Sequence, residues 1–119
     1  MKVAFTMDDL DGGFSSATGF ISLENGQLLV EFQPKRFGFQ LPAKEFGVAL
    51  SEIERVRVKK GWFRCRLVLE LNSLAALSRF PRHDENEVRL SIKKDQLVNA
   101  RDLASQITLA SVDRALEEM

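Results

Sequence analysis

The sequence predicts a mainly β domain, a barrel or sandwich of roughly seven antiparallel strands closed by one C-terminal capping helix. Three observations carry this. Apolar and polar residues alternate with a period of two along several stretches between Leu28 and Ile92, Asn25-Gly26 separates two strand-like runs, and the period becomes helical after Asp95. No β–α–β alternation appears, which argues against a parallel sheet. At 119 residues the chain has the length of one domain. The expected organisation is an N-terminal extension over 1–16, strands over 17–92 and a helix over 94–119.

Lys2 to Thr6 reads as a short extended piece, followed by an acidic, glycine-bearing loop from Met7 to Gly13. Ala17 to Leu23 and Gln27 to Gln33 read as paired strands, because Asn and Gly both tolerate the positive φ of a type I′ hairpin turn. In the second strand Leu28, Val30 and Phe32 share one face and Leu29, Glu31 and Gln33 the other. Phe37, Phe39 and Leu41 repeat the alternation.

After Pro42, Phe46 to Leu50 forms a short stretch. Arg55 to Lys59 then alternates, Lys60-Gly61 offers a turn, and Phe63 to Leu71 runs back. On the returning strand Phe63, Cys65, Leu67, Leu69 and Leu71 should face the core, with Arg64, Arg66, Val68 and Glu70 outward. Asn72 to Pro81 is ambiguous. Leu74 to Leu77 could start a helical turn, but an edge strand over Leu77 to Phe80, stopped by Pro81, is the favoured reading. A polar loop from Arg82 to Glu87 leads into a strand over Val88 to Ile92.

Beyond Asp95, Leu97, Ala100, Ala104, Ile107 and Ala110 recur at helical spacing, and the acid suits the first turn. Leu103, Leu109, Val112 and Leu116 lie partly off that stripe and offer either a wider buried face or a self-association seam. Val112 to Met119 keeps helix-forming residues.

Strand order, the stretch Leu50-Ser51-Glu52-Ile53-Glu54-Arg55-Val56 entering a basic hairpin, and the helix after Ile92 resemble the pleckstrin-homology-like superfold, including GRAM-type and bacterial versions. The resemblance covers roughly Thr18 to Ile107 and implies a rigid scaffold of two bent sheets whose open corner the helix covers. It implies a binding module for lipid headgroups, peptides or other subunits, not one particular ligand. Lipid-binding relatives carry basic residues around the first hairpin loop. The loop read here as first, Leu23-Glu24-Asn25-Gly26-Gln27, has none.

Composition narrows the function classes. Apolar residues make up 45% and charged residues 29%, near the averages of globular chains. No apolar run approaches the roughly 20 residues that span a bilayer, and Met1 to Asp11 lacks a secretory layout, so a cytoplasmic, soluble domain is expected. Cys65 is the only cysteine, which rules out an intrachain disulfide. Lys plus Arg equal Asp plus Glu at 17 each, so any electrostatic attraction must come from local clustering.

One such cluster stands out. Arg55, Arg57, Lys59, Lys60, Arg64 and Arg66 contain no acid among them, and Trp62, the only tryptophan, sits inside the run. Like charges facing one another across paired strands destabilise a sheet unless an external anion intervenes or neighbouring acids such as Glu31, Glu52 and Glu70 neutralise them. Trp62 could enter a membrane interface, anchor a partner, or fold back over the barrel end.

No catalytic set emerges. His83 with Asp84, Glu85 and Glu87 gives no defined metal geometry, Met7 to Thr18 fails as a calcium loop, and Cys65 alternates with core residues. No metal or cofactor is expected. The expected function is therefore a non-catalytic module for protein–protein interaction or self-assembly. The alternative is a peripheral binder of anionic lipid that uses the hairpin 55–66. Nucleic acid is not expected, because most phenylalanines read inward and tyrosine is absent.

Overall fold

A computed structural model describes residues 2–10, 13–62 and 64–117, with the backbone alone for Asp9 and residues 113–117. The strands are β1 (Lys2–Leu10), β2 (Ser15–Glu24), β3 (Gln27–Arg36), β4 (Phe39–Gln40), β5 (Lys44–Ala49), β6 (Ile53–Lys60), β7 (Cys65–Leu71) and β8 (Glu87–Ile92). The helices are α1 (Leu74–Leu77) and α2 (Leu97–Glu117). The strands form one antiparallel sheet in the order β4-β3-β2-β1-β8-β7-β6, with β5 also paired to β3. Among the described residues no pairing joins β5 to β6, so the sheet is not a closed barrel.

The hairpin expected at Asn25-Gly26 forms, with φ of 51° and 75°, as a type I′ turn requires. Inward residues from both arms, including Val3, Ile21, Leu28, Val30, Leu67, Leu69 and Leu90, belong to one buried cluster, so the sheet curls around a single core. The arms join where β1 meets β8 through the single registered pair Thr6↔Ser91. There the Gln96 side chain accepts from the Ala4 amide at 3.2 Å, satisfying a group near this sparse joint.

Several expectations are corrected. The N-terminal segment is not an extension. Val3, Phe5 and Met7 point into the core, and β1 occupies the middle of the sheet between β2 and β8. Phe37, Phe39 and Leu41 do not extend a buried face: positive φ at Phe37 and Gly38 reverses the chain, leaving Phe37 63% and Phe39 75% exposed. Leu77 to Phe80 is not a strand. Ser73 Oγ accepts from the Ala76 amide and caps α1 instead, while Phe80 packs edge-on against Phe46 at 4.9 Å.

Four of the five residues expected inward on the strand after the turn, Cys65, Leu67, Leu69 and Leu71, are buried; Phe63 lies outside the described residues. Helix α2 buries Ala100, Leu103 and Ile107 against β6, β1 and β2. Leu103 thus belongs to a wider core stripe, whereas Leu109 and Val112 stay exposed; the Leu116 side chain lies outside the described residues. No helix among the described residues is long and apolar enough to cross a membrane.

Candidate functional site

The β6–β7 hairpin places the basic run, and its register decides which charges are satisfied. Arg55 faces Glu70, Arg57 faces Val68, and Lys59 faces Arg66. Across β7 the same face continues onto β8, where Glu70 meets Glu87, Val68 meets Arg89 and Arg66 meets Ser91. The outward surface therefore has an acidic end and a basic end.

The acidic end is neutralised within the fold. Arg55 Nε lies 3.4 Å from Glu70, and Arg57 Nη2 donates to Glu70 Oε1 at 3.2 Å and to Glu87 Oε1 at 2.8 Å. Arg89 closes the set on Glu87 at 3.2 Å and Asp84 at 3.4 Å. Partial burial raises the Glu87 carboxyl's tendency to hold a proton. The hydrogen bond from Arg89 and the charges of Arg57, Arg89 and Lys59 outweigh this and hold it below a glutamate's ordinary value. Val68 is fully buried although it faces away from the core, flanked by Arg57 and Arg89, whose stems suit it as cover.

The basic end is different. Gly61 donates its amide to the Arg64 carbonyl at 2.9 Å, and a Cβ at Gly61 would run into that same oxygen, so this tight turn requires glycine. The turn presents Trp62 with 86% of its surface exposed, which sets aside a folded-back lid. Beside it a groove of about 730 Å³ is lined by Lys59, Lys60, Arg64, Arg66, Arg82 and Arg89, with Asp8 its only acid among the described residues. Arg64 pairs with Asp8 at 2.8 Å, tying the hairpin to β1. Among the described residues no carboxylate lies within 4.0 Å of Lys59, Lys60, Arg66 or Arg82.

The expected cluster therefore splits. Arg55, Arg57 and Arg64 are engaged by the fold, while Lys59, Lys60 and Arg66 surround Trp62 with their charge available. Arg82, Arg89 and Asp8 join the groove from distant segments that no local run announces. The only sequence signal for Arg82 is its place after Pro81, which ends the segment packed by Phe80. The geometry can hold an anion against an exposed aromatic side chain, because ammonium and guanidinium groups converge where water still reaches.

The remaining reactive groups sit apart from this groove. Cys65 is buried, and His83 Nδ1 lies 3.0 Å from the Glu85 carbonyl in the loop before β8. No family model, curated protein or solved structure matches the chain.

Proposed function

We propose that the chain is a non-catalytic, pleckstrin-homology-like binding module that docks on anionic membrane surfaces through the β6–β7 hairpin. The carrying observation is Trp62, 86% exposed beside a groove where Lys59, Lys60, Arg66 and Arg82 have no carboxylate within 4.0 Å among the described residues. Clustered cations are drawn to anionic headgroups, and an indole ring favours the interface between headgroup and acyl chain. The fold reading is supported by β1 joining the strands β2–β5 to the strands β6–β8, with α2 packed over β6 and β1.

That strand order also changes the comparison with lipid-binding relatives. The first hairpin is β1–β2, with its turn near Phe14, and not the acidic turn at Asn25-Gly26. That first turn follows the acidic stretch Asp8-Asp9-Leu10-Asp11 and has no Lys or Arg either, so the anionic reading rests on the β6–β7 hairpin and not on likeness to those relatives.

The test is a titration with vesicles of phosphatidylcholine, with and without phosphatidylserine, following Trp62 emission. A blue shift only with phosphatidylserine, weakened by salt, supports the reading. No shift with either vesicle overturns it. Protein self-association is the second reading, favoured by Val98, Leu109 and Val112, which are exposed at spacings that align them along one side of α2. Light scattering that finds a stable dimer broken by Leu109→Glu would favour it.

A further inference from the structure

Three turns meet at one end of the molecule, and the contacts that join them define a surface beyond the Trp62 hairpin. The Phe37 amide donates to the Phe14 carbonyl at 2.9 Å, and the two rings pack at 5.4 Å, joining the β1–β2 turn to the β3–β4 turn. Phe14, Phe37 and Phe39 are 62%, 63% and 75% exposed. Arg64 lines the Trp62 groove and also a cleft with Phe14, Lys35 and Gly38. Arg82 likewise lines the Trp62 groove and a pocket of about 640 Å³ behind β4. The aromatic turns and the basic hairpin thus border one another.

The pocket behind β4 supplies charge complementarity. Among the described residues it is lined by Lys35, Arg36, Lys44, Arg79 and Arg82 and by no acid, while Asp8, paired with Arg64, lines the neighbouring cleft. In a chain whose net charge is zero, such clustering gives the molecule an electropositive end. Phe37 adds a second indication: a bulky aromatic residue at φ 52° is a costly place to expose a ring, and strained positions persist where the site uses them.

We propose that Phe14, Phe37 and Phe39 form a hydrophobic wedge that enters the boundary between headgroups and acyl chains of an anionic bilayer. Lys35, Arg36 and Arg82 then lie at the level of the lipid phosphates. This rests on the membrane reading above and fixes the orientation of docking: the molecule stands on this end, with α2 outside the contact. The occupant is a bilayer and not a single-stranded nucleic acid. The tilted packing of Phe14 on Phe37, with Arg36 5.7 Å over the Phe37 ring, takes up part of the face that a base would stack on. Base stacking needs open faces, whereas an apolar wedge needs only exposed hydrocarbon.

The test uses a Trp62→Phe, Phe39→Trp variant, whose single indole reports from the wedge, with phosphatidylcholine–phosphatidylserine vesicles containing brominated acyl chains. Bromine quenching of this indole, together with roughly tenfold or greater loss of vesicle affinity in Phe14→Ala, Phe39→Ala, supports the wedge. Thermal melts matching the wild type establish that the variants remain folded. If wild-type Trp62 responds to vesicles, the Phe39→Trp indole is not quenched and Phe14→Ala, Phe39→Ala keeps wild-type vesicle affinity, the wedge is overturned while the membrane reading stands. If neither responds, both fall. Response of the Phe39→Trp indole to a single-stranded oligonucleotide but not to vesicles, or its burial in a dimer without lipid, also overturns the wedge.

Discussion

Arg57 places one guanidinium nitrogen between Glu70 and Glu87, 3.2 Å from the first carboxylate and 2.8 Å from the second, and this contact divides the basic run into a structural half and an available half. Arg57→Ala leaves two half-buried carboxylates facing each other across β7 and β8 and strips cover from Val68. The expected cost is about 1–2 kcal/mol, at the lower end for a broken ion-pair network because water still reaches these groups. Vesicle binding should be unchanged. Chemical denaturation and the vesicle titration, run on the same sample, check both halves of the statement.

Lys59 and Lys60 should behave the opposite way. Neither has a carboxylate within 4.0 Å among the described residues, and Lys59 faces Arg66 across the hairpin. Lys59→Gln with Lys60→Gln should leave stability within about 0.5 kcal/mol or raise it slightly by relieving repulsion. Each lysine near an anionic surface contributes about 1 kcal/mol, so the pair should weaken vesicle affinity roughly thirtyfold and flatten its salt dependence. Vesicle co-sedimentation over a salt series measures this.

The Glu87 carboxyl sets an acid limit. Burial would raise its proton affinity in the folded state, but the hydrogen bond from Arg89 and the charges of Arg57, Arg89 and Lys59 together overcome this and lower it. A group depressed on folding stabilises fully above its unfolded value, here about 4.5, and loses that contribution as pH falls through the lower folded value. Melting temperature should therefore fall more steeply below about pH 4.5 in the wild type than in Glu87→Gln. Equal slopes would place the acid sensitivity elsewhere.

What the sequence made legible was local. Asn25-Gly26 specifies its turn by backbone preference alone, and Cys65, Leu67, Leu69 and Leu71 share a face by strand geometry. The alternation of Val3, Phe5 and Met7 was equally visible, but the acids and glycines that follow suggested a loop, and only pairing with β2 and β8 makes β1 central. Phe37, Phe39 and Leu41 alternate by coincidence, since a turn flanked by apolar residues has the same spacing as a strand. The basic run was plain, yet its division was not. Glu87 reaches Arg57 from 30 positions away, and no local pattern encodes such a partner.

Phe37 separates stability from binding most cleanly. Its φ of 52° belongs to the left-handed region, which costs a bulky residue about 1–2 kcal/mol but which asparagine tolerates. Its ring regains part of this by packing at 5.4 Å on Phe14 and beneath Arg36. Phe37→Asn removes the strain and the ring contacts together, so stability should stay within about 1 kcal/mol of the wild type. Vesicle affinity should nonetheless fall about tenfold, because the lost ring is hydrocarbon that the wedge buries in the bilayer. A residue kept only for packing would give the reverse pattern: a lowered melting temperature and unaltered binding. Thermal melts and vesicle titrations of Phe37→Asn therefore decide whether the strained turn exists for the fold or for the surface on which it docks.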